Sequence, residues 1–319
     1  MVNNDIKLGA SIYSMTSNFV KYGQSLESCL QEIADMGFKG VEMVAAQTVP
    51  EYPHPTDKWL YEFRDLLEKY GLTPVCYSAY IDYGMRTERD MTREEIIQST
   101  QNDMIYAKKV GFQMVRTQHS ISPEIFEAMV PFCEELDMML TIEMHHPHHP
   151  GVPVWEKYIE LMHKYRHLGA VPDFGIFQRR PHRLLINRLL QAGFRPDKLE
   201  EMLKNFEEKV PAEESARALG LTEQETGFTK SIYGMFNPTP ISALETLVPV
   251  SPYMHGKFYY LENGELDPCV PYHEILPKCK ELGFKGFIAA EYEGHHFDMT
   301  VDIKQQLAYY ADIFHKYIS

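Results

Sequence analysis

Four residues with metal-binding side chains each stand at the end of a short apolar segment. They are Glu143 in MLTIEMHH, Asp173 in AVPDFG, His255 in PYMHGKFYY and Glu291 in FIAAEYEG. Three carboxylates and one imidazole suit a hard or borderline divalent cation, a group that includes Mn²⁺, Mg²⁺, Zn²⁺ and Co²⁺. Any one of them alone is equally well explained as a salt-bridged or capping group, because a carboxylate in an apolar setting needs a cation or hydrogen bonds. Their recurrence at four strand ends predicts a metal centre.

A histidine beside this centre is placed to transfer protons. The segment HHPHH at 145–149 holds four histidines, directly after one predicted ligand. His145 follows Glu143 by two residues, so in an extended chain both side chains point to the same face. An imidazole titrates near neutral pH, which suits general acid–base chemistry. We therefore predict a catalytic role for His145 and surface or structural roles for the other three histidines.

Charged residues close to the predicted ligands are candidates for binding substrate. The alternation of side chains along a strand places Lys257 and Glu293 on the same face as the ligands two residues before them. Arg179 and Arg180 follow the sixth strand, and guanidinium groups suit an anionic or polyhydroxylated substrate. A plain ion pair is the alternative for Lys257, and an exposed flank of the chain is the alternative for the two arginines.

Alternating helices and strands must position these residues. An amphipathic helix, a Gly, an aromatic residue and an apolar strand recur in EIADMGFKGVEMV, AKKVGFQMVRT and KCKELGFKGFIAAEY, a pattern typical of βα units and a parallel sheet. The predicted strands cover residues 7–11, 40–44, 73–78, 114–117, 139–143, 170–173, 253–258 and 286–291. The predicted helices cover residues 26–36, 57–70, 93–110, 123–136, 154–165, 272–282 and 302–317. Eight βα units predict a (β/α)₈ TIM barrel, since no phosphate-binding glycine loop follows the first strand as an open doubly wound sheet would suggest.

One long segment interrupts this alternation. About 80 residues separate the sixth and seventh strands, more than one crossover needs, and residues 179–234 are charged and helix-prone. We predict a helical insertion on the catalytic face of a single barrel domain spanning 1–319. A lid over the substrate or an interface with another subunit is the expected role, and simple decoration of the barrel is the alternative.

Composition excludes several other classes of protein. Acidic residues outnumber basic ones, 45 to 31, which disfavours binding to nucleic acid. There is no apolar run long enough for a membrane span and no secretory signal pattern at the N-terminus. Five scattered cysteines indicate reduced thiols. We therefore expect a cytoplasmic protein that binds neither nucleic acid nor membrane.

The motifs GFKGVEM, TIEMHH, VPDFG, HGKF and AAEYEG resemble those of the xylose-isomerase-like barrel superfamily, which includes sugar phosphate isomerases and epimerases. The resemblance implies that Glu143, Asp173, His255 and Glu291 bind Mn²⁺ or a similar ion. It also implies that Glu143 and Glu291 share proton transfer in catalysis.

Within that superfamily, the chain is most similar to the larger subunit of bacterial C-glycoside deglycosidases. The supporting features are E-x-H after the fifth strand, PDFG followed by an Arg-rich helical insertion, and HGKFYYL leading to EYEG. The resemblance implies a lyase that cleaves the carbon–carbon bond of a 3-keto C-glycoside, paired with a small β-rich subunit in a hetero-oligomer. A sugar isomerase or ketose 3-epimerase is the main alternative, and a non-catalytic sugar-binding barrel is the second.

Overall fold

Eight parallel strands form the central sheet of the protein, whose computed structural model describes residues 6–84, 87–118, 121–236, 239–262 and 265–318. The strands are β1 Ile6–Ser11, β2 Gly40–Val44, β3 Thr73–Ser78, β4 Met114–Thr117, β5 Met139–Met144, β6 Leu168–Pro172, β7 Tyr253–Phe258 and β8 Gly286–Tyr292. Neighbours in the sheet follow the order β6-β5-β4-β3-β2-β1-β8-β7. A parallel bridge between Asp173 and His255 joins the two ends of this sheet. The predicted TIM barrel is confirmed, and the predicted bounds of every strand agree with the structure to within two residues.

Helices cover the outside of the barrel or form the segment between β6 and β7. They are α1 Leu26–Asp35, α2 Ala45–Thr48, α3 Asp57–Lys69, α4 Arg93–Val110, α5 Pro123–Ala128, α6 Val130–Leu136, α7 Pro153–Lys164, α8 Arg183–Gln191, α9 Pro196–Glu207, α10 Ala212–Leu219, α11 Glu223–Met235, α12 Leu244–Leu247, α13 Tyr272–Glu281 and α14 Ile303–Ile318. The single helix predicted at 123–136 is wrong, because it is two helices, α5 and α6. Pro131 near the start of α6 has no backbone N–H to donate to the preceding turn, which explains the break.

The recurring Gly–aromatic pair turns each helix into the following strand. At the end of α4, Gly111 adopts a left-handed conformation with φ of 104°, which a side chain would disfavour. Phe112 then inserts into the core and is completely buried. The equivalent pairs are Gly37 with Phe38 and Gly283 with Phe284. These turns fix where β2, β4 and β8 begin, and therefore which of their side chains reach the C-terminal rim.

The segment between β6 and β7 is helical, and it contains α8 to α11. Its apolar side chains form a cluster separate from the barrel core: Leu189, Phe194, Leu199, Met202, Phe206, Ile232 and Phe236. An ion pair inside the insertion joins Arg195 to Glu225, with 2.6 Å between Nη2 and Oε2. The insertion therefore packs largely on itself, while its role as a lid or interface stays a prediction, as does the assignment of 1–319 to one domain.

All five cysteines are free thiols, and all are buried. Among the described helices, none is both long and apolar enough to cross a lipid bilayer. The cytoplasmic location stays a prediction.

Candidate metal centre

The strands β5 to β8 bring the four predicted ligands together: Glu143, Asp173 and Glu291 lie at C-terminal strand ends, and His255 lies within β7, beside Asp173. Donor atoms of Glu143, Asp173, His255 and Glu291 all lie within 4.8 Å of one another. All four residues are buried, since their exposed fractions do not exceed 6%. We refer to these residues as the four-ligand cluster. Burial of three carboxylates at such distances requires compensating positive charge.

His255 presents one edge of its ring to the three carboxylates of the cluster. Its Nδ1 atom lies 2.9 Å from Glu143 Oε1, 3.4 Å from Glu291 Oε2 and 3.9 Å from Asp173 Oδ2. The opposite ring nitrogen, Nε2, lies 3.1 Å from Glu42 Oε1. Nδ1 is therefore the nitrogen that faces the cluster.

Lys257 supplies a cation from the same strand. Its Nζ atom lies 3.1 Å from Asp173 Oδ2, 2.9 Å from Glu291 Oε2 and 2.6 Å from Glu293 Oε1. The lysine is almost completely buried, with 1% exposed, whereas Glu293 is half-buried at the rim. Lys257 and Glu293, both predicted to bind substrate, are thus next to the cluster.

Glu42 on β2 and Arg116 on β4 complete the buried charge network. Arg116 donates through Nη1 to Glu143 Oε2 at 2.5 Å, through Nη2 to Glu42 Oε1 at 3.4 Å and through Nε to Ser78 Oγ at 3.0 Å. The Ser78 hydroxyl in turn donates to Glu42 Oε1. Neither Glu42 nor Arg116 is among the predicted site residues. Each is a lone charge within a short apolar strand, GVEMV or MVRT, and that pattern is the signal that identifies it.

The network carries more negative than permanent positive charge. Its carboxylates are Glu42, Glu143, Asp173, Glu291 and Glu293, and its permanent cations are Arg116 and Lys257. Burial raises the pKa of Glu291 to about 7, although His255 and Lys257 oppose this effect. Burial alone would also raise the pKa of Glu143, but Arg116 and His255 hold it well below its ordinary value. A divalent cation would offset the excess negative charge.

Two oxygens of the cluster fit a metal ion better than they fit the protein's own donors. Asp173 Oδ2 and Glu291 Oε2 are buried and lie at ion-pair distance from Lys257, yet neither accepts a well-directed hydrogen bond from the described residues. Buried polar atoms in native proteins are nearly always satisfied. Orphaned carboxylate oxygens, a ring nitrogen directed at them and excess negative charge together suit a divalent cation. The residues of the cluster can therefore hold a metal.

His145 lies near the cluster with a defined ring orientation. Its Nδ1 atom is 2.9 Å from the backbone carbonyl oxygen of His146, which can only accept a hydrogen bond, so Nδ1 carries the hydrogen. The lone pair of the neutral ring is then on Nε2. Burial lowers the pKa of His145, but the nearby carboxylates of Asp173 and Glu143 outweigh it and raise the pKa above its ordinary value.

Arg179 and Arg180 lie away from the cluster, in a groove between the insertion and the barrel. Arg179 forms a bidentate ion pair with Glu274, with both distances 2.7 Å. Arg180 Nη1 lies 3.7 Å from Glu207 Oε1 on α9. The groove has a volume of about 860 Å³, and its walls include Phe206 and other aromatic residues of the insertion. The structure thus groups Lys257 and Glu293 with the candidate ligands and the two arginines with the insertion; binding of substrate by all four stays a prediction.

A sequence profile of the xylose isomerase-like TIM barrel matches residues 30–313. The chain belongs to this family. It is 28% identical to the 3'-dehydrocarminate deglycosidase alpha subunit of a Microbacterium species, over 95% of this chain and 92% of that protein. It is 27% identical to a C-glycoside deglycosidase alpha subunit of Arthrobacter globiformis, over 93% of this chain and 87% of that protein.

Solved structures of low sequence identity share the fold of this family member. A D-psicose 3-epimerase crystallised in the presence of D-fructose superposes with a TM-score of 0.59 at 11% identity, covering 98% of this chain and 99% of that one. A xylose isomerase-like TIM barrel protein from Mycobacterium smegmatis in complex with magnesium has a TM-score of 0.56 at 14% identity, covering 98% of each chain. At these identities the likeness establishes the barrel alone.

Proposed function

We propose that this chain is the catalytic subunit of a divalent-metal-dependent lyase that cleaves 3-keto C-glycosides. Its similarity to two deglycosidase alpha subunits over nearly its whole length supports this class of reaction. The observation that carries the chemistry is the buried four-ligand cluster beside His145, whose Nδ1 hydrogen is already committed to a backbone carbonyl. A centre that stabilises an enolate and an adjacent base are the two parts that such a reaction needs.

A metal ion, with Mn²⁺ as the proposed one, would be held by Glu143, Asp173, His255 and Glu291. When bound, it supplies a Lewis acid that polarises the ketone of the sugar and stabilises the negative charge of the enolate. Lys257 lies against two of the same carboxylates and would donate hydrogen bonds to substrate oxygens. Glu293 contacts the Lys257 ammonium at 2.6 Å and would accept from sugar hydroxyls.

His145 takes the proton from the carbon next to the ketone, through the lone pair on Nε2. The electrons released form the enolate and then the sugar double bond, as the bond between the anomeric carbon and the aglycone breaks. The aglycone carbon leaves with that bonding pair and takes up a proton, so the reaction consumes no oxidant or reductant. Both oxygens of Glu143 are engaged in hydrogen bonds, with His255 and Arg116, whereas Glu291 Oε2 accepts no well-directed hydrogen bond from the described residues. We therefore assign a share in proton transfer to Glu291 before Glu143.

A partner subunit is part of this proposal. The two relatives are named alpha subunits, which supports a small second subunit, β-rich and joined to this chain in a hetero-oligomer. The insertion α8 to α11 and the groove beside Arg180 would bind either the aglycone of the substrate or the partner subunit. Arg179 and Arg180 would there bind polar or anionic groups of the substrate.

The test is an assay of the Mn²⁺-loaded protein, co-expressed with a candidate small subunit, on 3-keto C-glucosides with aromatic aglycones. Release of aglycone, followed by chromatography, is the expected result. His145→Ala should lower the rate by roughly 10²- to 10⁴-fold, the usual contribution of a general base. His149→Ala is the matched control, since this imidazole is in the same loop and accepts a hydrogen bond from the Gly151 amide.

The ketose 3-epimerase alternative predicts a different product from the same first step. Epimerisation of free D-fructose or D-psicose, without release of aglycone from any C-glucoside, would replace the lyase proposal by that alternative. Unchanged activity of His145→Ala would remove the assignment of the base. Aglycone release that persists after chelation and removal of metal would remove the metal from the mechanism.

A further inference from the structure

Glu42 is a buried carboxylate that contacts the four-ligand cluster from outside. It is completely buried in the middle of β2, and its Oε1 atom faces His255 Nε2 at 3.1 Å. The His255 ring lies between Glu42 and the cluster, because its other nitrogen faces Glu143 and Glu291. Glu42 is therefore separated from the cluster by an imidazole and is not a fifth ligand.

The chemistry of imidazole gives this contact a specific consequence. A neutral imidazole has one N–H and one nitrogen lone pair, and a carboxylate can only accept. An ionised Glu42 therefore keeps the hydrogen on Nε2 and leaves the Nδ1 lone pair directed at the cluster. Arg116 and the Ser78 hydroxyl both donate hydrogen bonds to Glu42 Oε1, which favours the ionised form of this carboxylate.

Glu42 also acts on a second candidate ligand. Arg116 joins Glu42 to Glu143 through Nη2 and Nη1, at 3.4 and 2.5 Å. The planar guanidinium fixes the spacing of the two carboxylates and directs Glu143 Oε1 toward His255. Glu42 thus orients the His255 imidazole directly. Through Arg116 it also orients the Glu143 carboxylate.

We propose that Glu42 is the positioning residue of the metal centre: it fixes the form of His255 whose hydrogen is on Nε2 and whose Nδ1 lone pair faces the cluster, and, through Arg116, it fixes the orientation of Glu143. Outer carboxylates of this kind typically change metal affinity by about 10- to 100-fold when they are removed. The proposal rests on the metal site within the proposed function, but not on the reaction catalysed there.

Binding of Mn²⁺ alone to the metal-stripped full chain tests this role. The dissociation constant is measured by competition with a fluorescent chelator for the wild type, Glu42→Gln and Glu225→Gln. Glu225 is the matched control, because it is also a buried carboxylate paired with an arginine, but on the insertion. We expect Glu42→Gln to weaken Mn²⁺ binding about 10- to 100-fold and Glu225→Gln to leave it within twofold of the wild type.

A second readout separates positioning from a general loss of structure. In Zn²⁺-loaded protein, nitrogen-15 spectra should show that the hydrogen on His255 Nε2 exchanges more slowly in the wild type than in Glu42→Gln, because a carboxylate is a stronger acceptor than an amide. If Glu42→Gln does not fold, Ser78→Ala decides the matter, since it removes one donor to Glu42 and keeps the charge. Ser78→Ala should weaken Mn²⁺ binding severalfold.

Three results would overturn the role of Glu42. They are Mn²⁺ affinity of Glu42→Gln within twofold of the wild type, an equal loss in Glu225→Gln, or an unfolded Glu42→Gln together with unchanged affinity in Ser78→Ala. Failure of the wild type itself to bind Mn²⁺ would overturn the metal centre as a whole. Metal binding that depends on Glu42, with no release of aglycone, would leave this inference standing and refute only the proposed reaction.

Discussion

Replacement of Lys257 by Met should make the protein bind metal more tightly and fold less stably without metal. The Lys257 ammonium lies 3.1 Å from Asp173 Oδ2 and 2.9 Å from Glu291 Oε2, two oxygens that the ion would also use. A divalent ion bound to those oxygens would therefore be on the order of 5 Å from Nζ. Met has a similar length and no charge, so the variant removes the repulsion and preserves most of the packing.

Two opposing energies set the size of the effect. Repulsion between a divalent ion and an ammonium about 5 Å apart is roughly 7 kcal/mol at an effective dielectric constant of about 20. Movement of Nζ toward Glu293, which it already contacts at 2.6 Å, relieves part of this repulsion. We expect Mn²⁺ to bind at least about tenfold more tightly to Lys257→Met, which corresponds to about 1.4 kcal/mol. Without metal, loss of one partner of a buried ion pair should lower the free energy of unfolding by about 3–5 kcal/mol.

Chelator competition for Mn²⁺ and urea unfolding with and without Mn²⁺ measure both effects on one preparation. Lys278→Met is the control, because Lys278 also contacts two carboxylates but lies on the outer surface, where an ion pair is worth about 0–1 kcal/mol. Weaker Mn²⁺ binding by Lys257→Met than by the wild type would refute the competition between lysine and metal. Unchanged stability without metal would show that the lysine does not compensate the charge of the carboxylates.

Two further predictions concern residues outside the cluster. Burial raises the pKa of Asp103 to about 7, while its contact with Tyr52 opposes the shift. The stability it contributes is fully present below its unfolded value near 4 and is lost as the pH rises through about 7, so Asp103→Asn should be more stable than the wild type at pH 8, by up to roughly 4 kcal/mol. Urea unfolding at pH 4 and pH 8 checks this, and a difference that is independent of pH would contradict it. Gly256→Ala should cost about 1–3 kcal/mol or more, because the added methyl group would overlap the Tyr310 hydroxyl. Gly227→Ala, where a methyl group meets nothing within 4 Å, is its control in the same unfolding assay, and equal stability of the two variants would be the contradicting result.

The barrel could be predicted well from the sequence because each strand is marked by a pattern of neighbouring residues. Short apolar runs and the glycines that precede them define the strands, so the bounds of β2, β3, β4 and β7 coincide with those predicted. The same locality explains why Glu143, Asp173, His255 and Glu291 could be found, since parallel strands carry their ends to one rim. The break between α5 and α6 was missed, although Pro131 marks it.

Residues whose role depends on contacts between strands were harder to predict from the sequence. Glu42 and Arg116 are far apart in the chain and come together only because β2 and β4 both pair with β3. The contacts of a long side chain likewise cannot be predicted from the residues next to it in the chain. Arg179 follows a ligand strand, yet it reaches Glu274 on α13 rather than the cluster.

The apolar core of α8 to α11 is separate from the core of the barrel, although polar contacts such as that of Arg188 with the Phe297 carbonyl join the two regions. Mutations that lie far apart and share no partners have nearly additive effects. Substitutions around Met202 are absorbed inside the insertion, whereas the cluster depends on strand ends of the barrel. Evolution or a laboratory library can therefore vary the core of the helical block while the four-ligand cluster stays constant. Under the proposed function, descendants could then differ in what they recognise and still inherit the same chemistry.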